Sequence, residues 1–506
     1  MANKILKNII SVIAIIVLCG IGIASFYFIS TVSTKYEKVI MNVTSSIEIT
    51  IYLVIDLLFI FAFKIMKDKL KLNKNIKRII LVLCIFIYGI SSAIWVKNSD
   101  IIPVDDSKSV NELAISYANG DMEKLEKSGY LEKYPNQMGT VLIIGTIYKI
   151  FRTTNFRLIQ YINIIANILT FIFMYLILGK MQKKYNVSKA IYTAMYLTFI
   201  PLILLTTYVY GDYIGLAFSA MGIYFIMDYK KDGKIYKLII SSIAMCLSYI
   251  TKMNYIIFTL AIIIYLGFYL IQDIENKNKQ KIIKSIFSLI VFILIAIMPF
   301  SIIKNYYKNK YNYKAEEALP TTVWVYVGMM ESGRANGWYS GVTEEAWENT
   351  PLAHTTYNQK IKERLKEFVK NPKYTVRFYF WKTISGWTDP YFQSIWYNVG
   401  LENKDEKLAQ IFDSKKYKMC ELYLKASMTL MYGGAFLAAI KNRKNMSNEM
   451  MLLVVIFIGG VLFHTIWEMK TRYTLPYAVI LMPVSAIGLQ WAISKISKEK
   501  KINKTE

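Results

Sequence analysis

The stretch Ile79–Val96 reads IILVLCIFIYGISSAIWV, eighteen residues without a charge. That is close to the ~20 apolar residues an α-helix needs to cross the hydrocarbon core of a bilayer. Before it stand Lys64, Lys67, Lys69, Lys71, Lys74, Lys77 and Arg78; after it comes Ile102-Pro103-Val104-Asp105-Asp106-Ser107. Lysine and arginine in short membrane loops stay on the cytoplasmic side. The basic turn therefore fixes where this helix enters the membrane and sets two adjacent carboxylates at the external face.

With 506 residues, 55% hydrophobic and 15% aromatic, the chain carries too much apolar surface for one water-soluble core. The net charge of +26 invites a nucleic-acid reading. Its lysines, however, are spread over short loops between apolar runs, which is the pattern of a polytopic membrane protein and implies no nucleic-acid partner. Cys19, Cys84 and Cys246 lie inside apolar runs and Cys420 stands alone, so neither a disulfide framework nor a zinc spacing is present. The first apolar run, Ile5 to Ser30, follows Lys4 and Lys7 as a signal peptide would, but it is long and lacks a small-residue cleavage site, so it reads as a retained helix. Neither a repeat period nor a low-complexity linker interrupts the chain.

These runs predict an all-α polytopic membrane protein of about twelve transmembrane helices. After Ile5 to Ser30 come Ile49 to Phe63, interrupted only by Asp56, and Ile79 to Val96. Met138 to Phe151 is apolar but only fourteen residues long, flanked by Arg152 and Arg157. If it spanned, the lysine-rich turns at Lys180, Lys183, Lys184 and Lys189 and at Lys230, Lys231, Lys234 and Lys237 would all become external, so it reads as a short helix lying in the outer interface. Leu158 to Leu178, Ala190 to Thr207, Ile214 to Met227, Leu238 to Ile250, Ile256 to Ile271 and Ile286 to Ile303 then alternate in direction. A hydrophilic, tryptophan-rich stretch follows as an external α-rich loop domain, before Met428 to Ile440, Met450 to Phe463 and Tyr473 to Ile493 complete the set. The expected divisions are 1–78, an N-terminal hairpin with its basic turn; 79–303, a transmembrane core with an external loop at 97–156; 304–425, the loop domain; and 426–506, the C-terminal helices and basic tail. Both termini are expected to be cytoplasmic.

This topology gathers chemistry-bearing residues at the external face. Asp106 and Asp212 share it with Lys133, Lys252, His464, Glu468, Lys470 and Arg472. Carboxylates that handle a hydroxyl or a metal, beside cations that steady a departing phosphate, suit a reaction on a lipid-linked phosphate. Taken singly, each is more often an ordinary interfacial charge. His464 to Tyr473 is dense in charge where a span leaves the bilayer, which marks it as a functional candidate. There Arg472 can grip a phosphate with two N–H groups and Glu468 can orient Arg472 through an ion pair. Snorkelling residues and an aromatic belt explain the same stretch equally well. Trp338, Tyr339, Trp387 and their neighbours can stack on sugar rings or simply seat a loop on the membrane. No HExxH, P-loop or GxGxxG motif appears, so nucleotide and zinc-protease readings lose support.

In order, the chain carries Val104-Asp105-Asp106-Ser107, Ala118-Asn119-Gly120-Asp121 and Tyr130-Leu131-Glu132-Lys133-Tyr134-Pro135-Asn136-Gln137, then a short interfacial helix, Asp212, the Thr251-Lys252 turn, Gly337-Trp338-Tyr339, the Trp387 to Trp396 run, and Trp467 to Tyr473 with Pro476. In that order and placement it resembles the GT-C superfamily of membrane glycosyltransferases, in the branch of protein O-mannosyltransferases and the lipid A aminoarabinose transferase. The resemblance implies a GT-C-like bundle and a hexosyl or pentosyl transferase acting with inversion. Such an enzyme moves a sugar from a polyprenyl-phosphate carrier to an envelope acceptor, whether glycopolymer, lipid or protein, on the external face of the cell membrane.

By the same resemblance the first acid, a general base or acceptor-site ligand, maps to Asp106 in one alignment and to Asp105 in another, and Asp212 is the second acid. Lys133, Lys252, Arg472 and Glu468 would attend the carrier phosphate, and Gln137, Trp338, Tyr339 and Trp387 the acceptor or sugar. Tyr134 intervenes between Lys133 and Pro135, a departure from the family pattern. Some relatives use a divalent metal ion and others do not. No cofactor is assigned, and Asp106 with Asp212 are the candidate metal ligands. The competing expectation is a transporter or flippase of lipid-linked saccharides, in which the same charges would line a path through mid-membrane.

Overall fold

In the computed structural model, residues 2–69, 73–121, 129–182, 187–311, 318–348, 350–400, 410 and 415–502 are described. Lys71, Lys183 and Lys184, the side chains of Lys69 and Lys74, and positions 401–409 and 411–414 of the expected loop domain lie outside them.

Among the described residues the regular structure is helical apart from one antiparallel hairpin, Phe28–Val32 paired with Val39–Val43. Eight helices among the described residues are long and apolar enough to cross a membrane, from Asn3–Tyr27 and Ser46–Lys67 to Asn448–Ile466 and Thr471–Ile496. Ser188–Leu197 and Pro201–Thr207, bent by 51°, count as a ninth if the pair is one span. The other three segments expected to span are helices as well, Asp212–Asp232, Ile235–Thr251 and Lys415–Asn442. Ile235–Thr251 is apolar but has only 17 residues. Met138–Phe151 is a separate helix of 14 residues.

Boundaries follow local chemistry. Asn73, Asn278 and Ser447 cap helices by accepting from the N–H groups of Ile76, Lys281 and Met450. Pro201 breaks the bent pair because it lacks an N–H, and the broken ladder frees carbonyls that no lipid could satisfy. The side chains of Gln160, Asn163 and Asn167, on one face of Arg157–Met181, donate to carbonyls of the second half of the pair, of its exit and of Ile101. Gln160 Nε2 donates to the Ile101 and Thr207 carbonyls at 2.9 and 3.0 Å, Asn163 Nδ2 to those of Thr206 and Tyr208 at 3.0 and 2.9 Å, and Asn167 Nδ2 to that of Leu202 at 2.9 Å. The break is thereby held, and it delivers the buried Tyr208-Val209-Tyr210-Gly211 and the partly buried Asp212 to one end of the bundle.

Thr471–Ile496 is the central span, with 67% of its apolar window buried, whereas Ser46–Lys67 and Asn75–Asn98 have 17% and present most of their surface outward. Asp212–Asp232 and Ile235–Thr251 pack as a tight hairpin. A Cβ at Gly211 would come within 2.3 Å of the Thr251 carbonyl oxygen, so only glycine permits this approach. Ser219 and Ser248 join hydroxyls across the pair at 2.6 Å. Met138–Phe151 closes the group: Thr140 Oγ1 donates to the Thr251 carbonyl at 2.6 Å, and Tyr148 donates to Asn111 of the Asp106–Asn119 helix at 2.6 Å. One short helix thus ties the Asp106 element to the Thr251-Lys252 turn.

Candidate active site

These elements enclose a cavity of about 890 Å³. Its lining includes Asp105, Asp106, Tyr130, Lys133, Gln137, Tyr210, Lys252, Lys304, Arg334, Tyr339, Glu344, Glu468, Lys470 and Arg472. Nine of the candidates singled out from the sequence line it: Asp105, Asp106, Lys133, Gln137, Lys252, Tyr339, Glu468, Lys470 and Arg472.

Asp106 opens its helix and accepts a hydrogen bond from the Tyr130 hydroxyl at 3.0 Å. The carboxyl keeps partial access to the cavity yet lies deep among protein atoms. Burial, then the neighbouring Asp105, push it above the usual carboxylate range, and Lys470 and Arg472 work against that rise. Asp105 is exposed and sits at φ 52°, ψ −137°, a left-handed backbone that strains any residue with a Cβ.

Asp212 lies behind the cavity wall rather than in it. Its carboxylate pairs with Lys252 and accepts from Arg472 Nη1 at 2.9 Å, while the Tyr255 hydroxyl donates to its backbone carbonyl at 2.6 Å. Burial lowers the Lys252 ammonium to about 8 in spite of that carboxylate. The Arg472 guanidinium is 2% exposed and lies over Tyr208, Tyr397, Tyr210 and Tyr473, with its carbon 4.4 to 5.3 Å from the ring centres. Its Nε has no acceptor among the described residues.

Three sequence expectations change here. Arg472 pairs with Asp212, not with its near neighbour Glu468: the break at Trp467 separates Glu468 from the helix that starts at Thr471, so the two side chains are set by different elements. Glu468 lines the cavity instead, its carboxyl raised to about 7 by burial. Trp338 and Trp387 are core residues rather than surface platforms for a sugar. Trp338 is fully buried with Nε1 donating to Ser385 at 3.0 Å, and Trp387 packs edge-on against Phe457. Asp106 and Asp212 do not form a metal pair in one cavity, because Asp212 is engaged by two cations. Among the described residues no group of three or more His, Cys, Asp or Glu side chains converges as metal ligands.

Other groups escaped the sequence reading. Lys133 pairs with Glu344 at 3.2 Å; Tyr339 donates to the same Glu344 and lies under Arg334, whose carbon is 4.9 Å from the ring centre. Arg334 had a weak signal, a lone cation in a small-residue turn just before Gly337-Trp338-Tyr339. Lys382 is 1% exposed and donates to the carbonyls of Gly328, Thr465 and Trp467 at 2.5, 2.9 and 2.9 Å, clamping the segment that leads into Glu468. Asp389 accepts from Thr471 Oγ1 at 2.9 Å and so fixes the start of the helix that carries Arg472.

Fold and site together define a multi-pass, all-α membrane protein with a charged cavity at one end of its helix bundle. Residues 138–303 match the family described as Dolichyl-phosphate-mannose-protein mannosyltransferase. The matched segment runs from the short helix through the Asp212–Lys252 hairpin to the following spans, and it supports a glycosyltransferase of the GT-C type, as the resemblance implied. No curated protein matches the chain.

Proposed function

We propose that this protein is an inverting glycosyltransferase that moves a sugar from a polyprenyl-phosphate carrier to an acceptor of the cell envelope on the external membrane face. The observation that carries the reading is a single cavity in which a carboxyl raised above its ordinary range, Asp106, stands with Lys252 and Arg472, two cations held from behind by Asp212. In the proposed reaction the acceptor hydroxyl gives its proton to the Asp106 carboxylate while its oxygen bonds to the anomeric carbon. The bond from that carbon to the carrier phosphate breaks, and the phosphate leaves with the electron pair. A base held above the usual carboxylate range is better matched to a hydroxyl proton than an ordinary aspartate. Lys252 and Arg472, fixed before substrate arrives, stabilise the charge that grows on the leaving phosphate. The unpartnered Arg472 Nε supports an anionic occupant.

The external placement rests on charge. Ile235–Thr251 and Asn448–Ile466 each end at the cavity, and their opposite ends begin near Lys230, Lys231 and Lys234 and near Lys441, Arg443 and Lys444. Lys252 and Arg472 also lie at helix ends rather than in mid-span, which favours interfacial chemistry over transport. The test is incubation of membranes with radiolabelled sugar on polyprenyl phosphate. Label covalently attached to an envelope acceptor is the expected result; label that only changes leaflet would establish transport instead.

A further inference from the structure

The N-terminal helices and their hairpin lie outside the family-matched segment, and the proposed reaction gives them no task. The hairpin, Phe28–Val32 with Val39–Val43, nonetheless reaches the cavity wall. Val39 N–H donates to the Arg334 carbonyl at 3.1 Å and Ser30 N–H to the Thr388 carbonyl at 3.4 Å, so the hairpin is pinned on both strands. At its turn Glu37 adopts φ 52° and is 2% exposed, an unusual place for an acid. Its carboxylate pairs with Arg334, lies 3.0 Å from the Lys470 ammonium, and accepts from Gln393 Nε2 at 2.7 Å. Gln393 is itself held at φ 62°. Two strained residues thus meet at one carboxylate, and the two cations it holds both line the cavity.

We propose that Glu37 is a positioning residue that fixes Lys470 and Arg334 at the wall of the cavity for an anionic group of the substrate. The proposal rests on the carrier-phosphate reading above. With Glu37 in place the two cations are neutralised and aimed; an arriving phosphate must share them with the carboxylate. Removing the negative charge frees the cations to bind an anion more strongly but leaves their geometry loose. Binding and turnover then move in opposite directions, which loss of folded protein would not produce. Arg334, stacked on Tyr339, extends the effect toward Glu344 and Lys133 on the far rim.

The experiment uses the full chain in lipid nanodiscs. Binding of decaprenyl phosphate is followed by the fluorescence of Trp324, Trp347 and Trp467, which line the cavity, and turnover is measured with decaprenyl-phosphate-linked sugar. Glu37→Gln should bind decaprenyl phosphate about tenfold more tightly than wild type, the coupling between the carboxylate and the bound anion, and should lower kcat about tenfold because the freed cations lose their aim. Glu37→Asp, which keeps the charge but shortens the reach, should bind within about threefold of wild type with kcat lowered about fivefold. If Glu37→Gln fails to fold, the Glu37→Asp pattern carries the test. Unchanged or weaker binding by folded Glu37→Gln, or an unchanged kcat for Glu37→Asp, overturns the positioning role while leaving the carrier reading intact. Wild type that does not bind decaprenyl phosphate at all overturns both.

Discussion

The Arg472 guanidinium donates to the Asp212 carboxylate at 2.9 Å, joining the first turn of the last span to the first turn of Asp212–Asp232 across 260 positions of chain. Lys252 shares the same carboxylate, so one acid holds two cations that would otherwise repel each other in a poorly solvated setting. Asp212 therefore organises the phosphate side of the proposed site without facing the cavity. Asp106, held by Tyr130, faces it from the other wall.

Breaking that arrangement has a cost that can be read directly. Asp212→Asn leaves Lys252 and Arg472 buried without a counter-charge and is expected to destabilise the protein by about 3–5 kcal/mol. Thermal unfolding of the detergent-purified variant measures this, and a melting temperature equal to that of wild type would contradict the assigned role.

The two adjacent acids are separable. Asp106→Asn should reduce transfer by about 10²- to 10⁴-fold, the usual worth of a positioned general base. Asp105→Gly relieves a positive-φ strain of about 1–3 kcal/mol at an entropic cost of about 0.5–1 kcal/mol, so it is expected to leave stability equal or higher while keeping most of the activity. Rates and unfolding midpoints of the two variants, compared side by side, decide which acid acts. Equal losses of activity would return the assignment to the pair.

The pH profile follows from the groups that must carry charge. Asp106 accepts a proton only when ionised, and its carboxyl is raised, so activity should climb with pH through a region above the ordinary carboxylate range. Lys252 supports the leaving phosphate only as the ammonium and is lowered to about 8, so activity should fall as pH rises through about 8. Lys252→Arg, which stays protonated, should move the falling limb to higher pH. A falling limb that does not move assigns it to another group.

Lys382 is expected to matter for stability rather than chemistry. Lys382→Met fills a similar volume but leaves the Gly328, Thr465 and Trp467 carbonyls without their donor, a loss of about 3 kcal/mol or more at about 1–3 kcal/mol for each buried acceptor left unsatisfied. Denaturation in detergent checks the loss. Transfer should fall with it, because the clamped segment leads into Glu468, Lys470 and Arg472.

Helical, multi-pass character and the short helix at Met138–Phe151 are legible in the chain alone. These depend on local quantities: the length of an apolar run, the lysines at its ends, and capping residues within one turn. The sequence also brought Asp106, Lys133, Lys252, Glu468 and Arg472 into one list, because charges at span ends can be assigned to a face by counting crossings. Gln160, Asn163 and Asn167 carried a readable hint of the broken span, since three amides on one face of an apolar helix need acceptors.

Only the tertiary structure decided which way each side chain turns and what it meets. The partner of Arg472 is 260 positions away, while the nearby Glu468 lies across a helix break. Trp338 and Trp387 look like any surface aromatics in the sequence, and packing makes them core. Glu37, between Lys35 and Lys38, reads as an ordinary loop acid until the hairpin sets it against Arg334, 297 positions on, and Gln393, 356 positions on. The physical reason is that membrane partition is a sum over neighbours in sequence. Ion pairs among buried charges instead depend on distances of a few ångströms between elements, which no local pattern encodes.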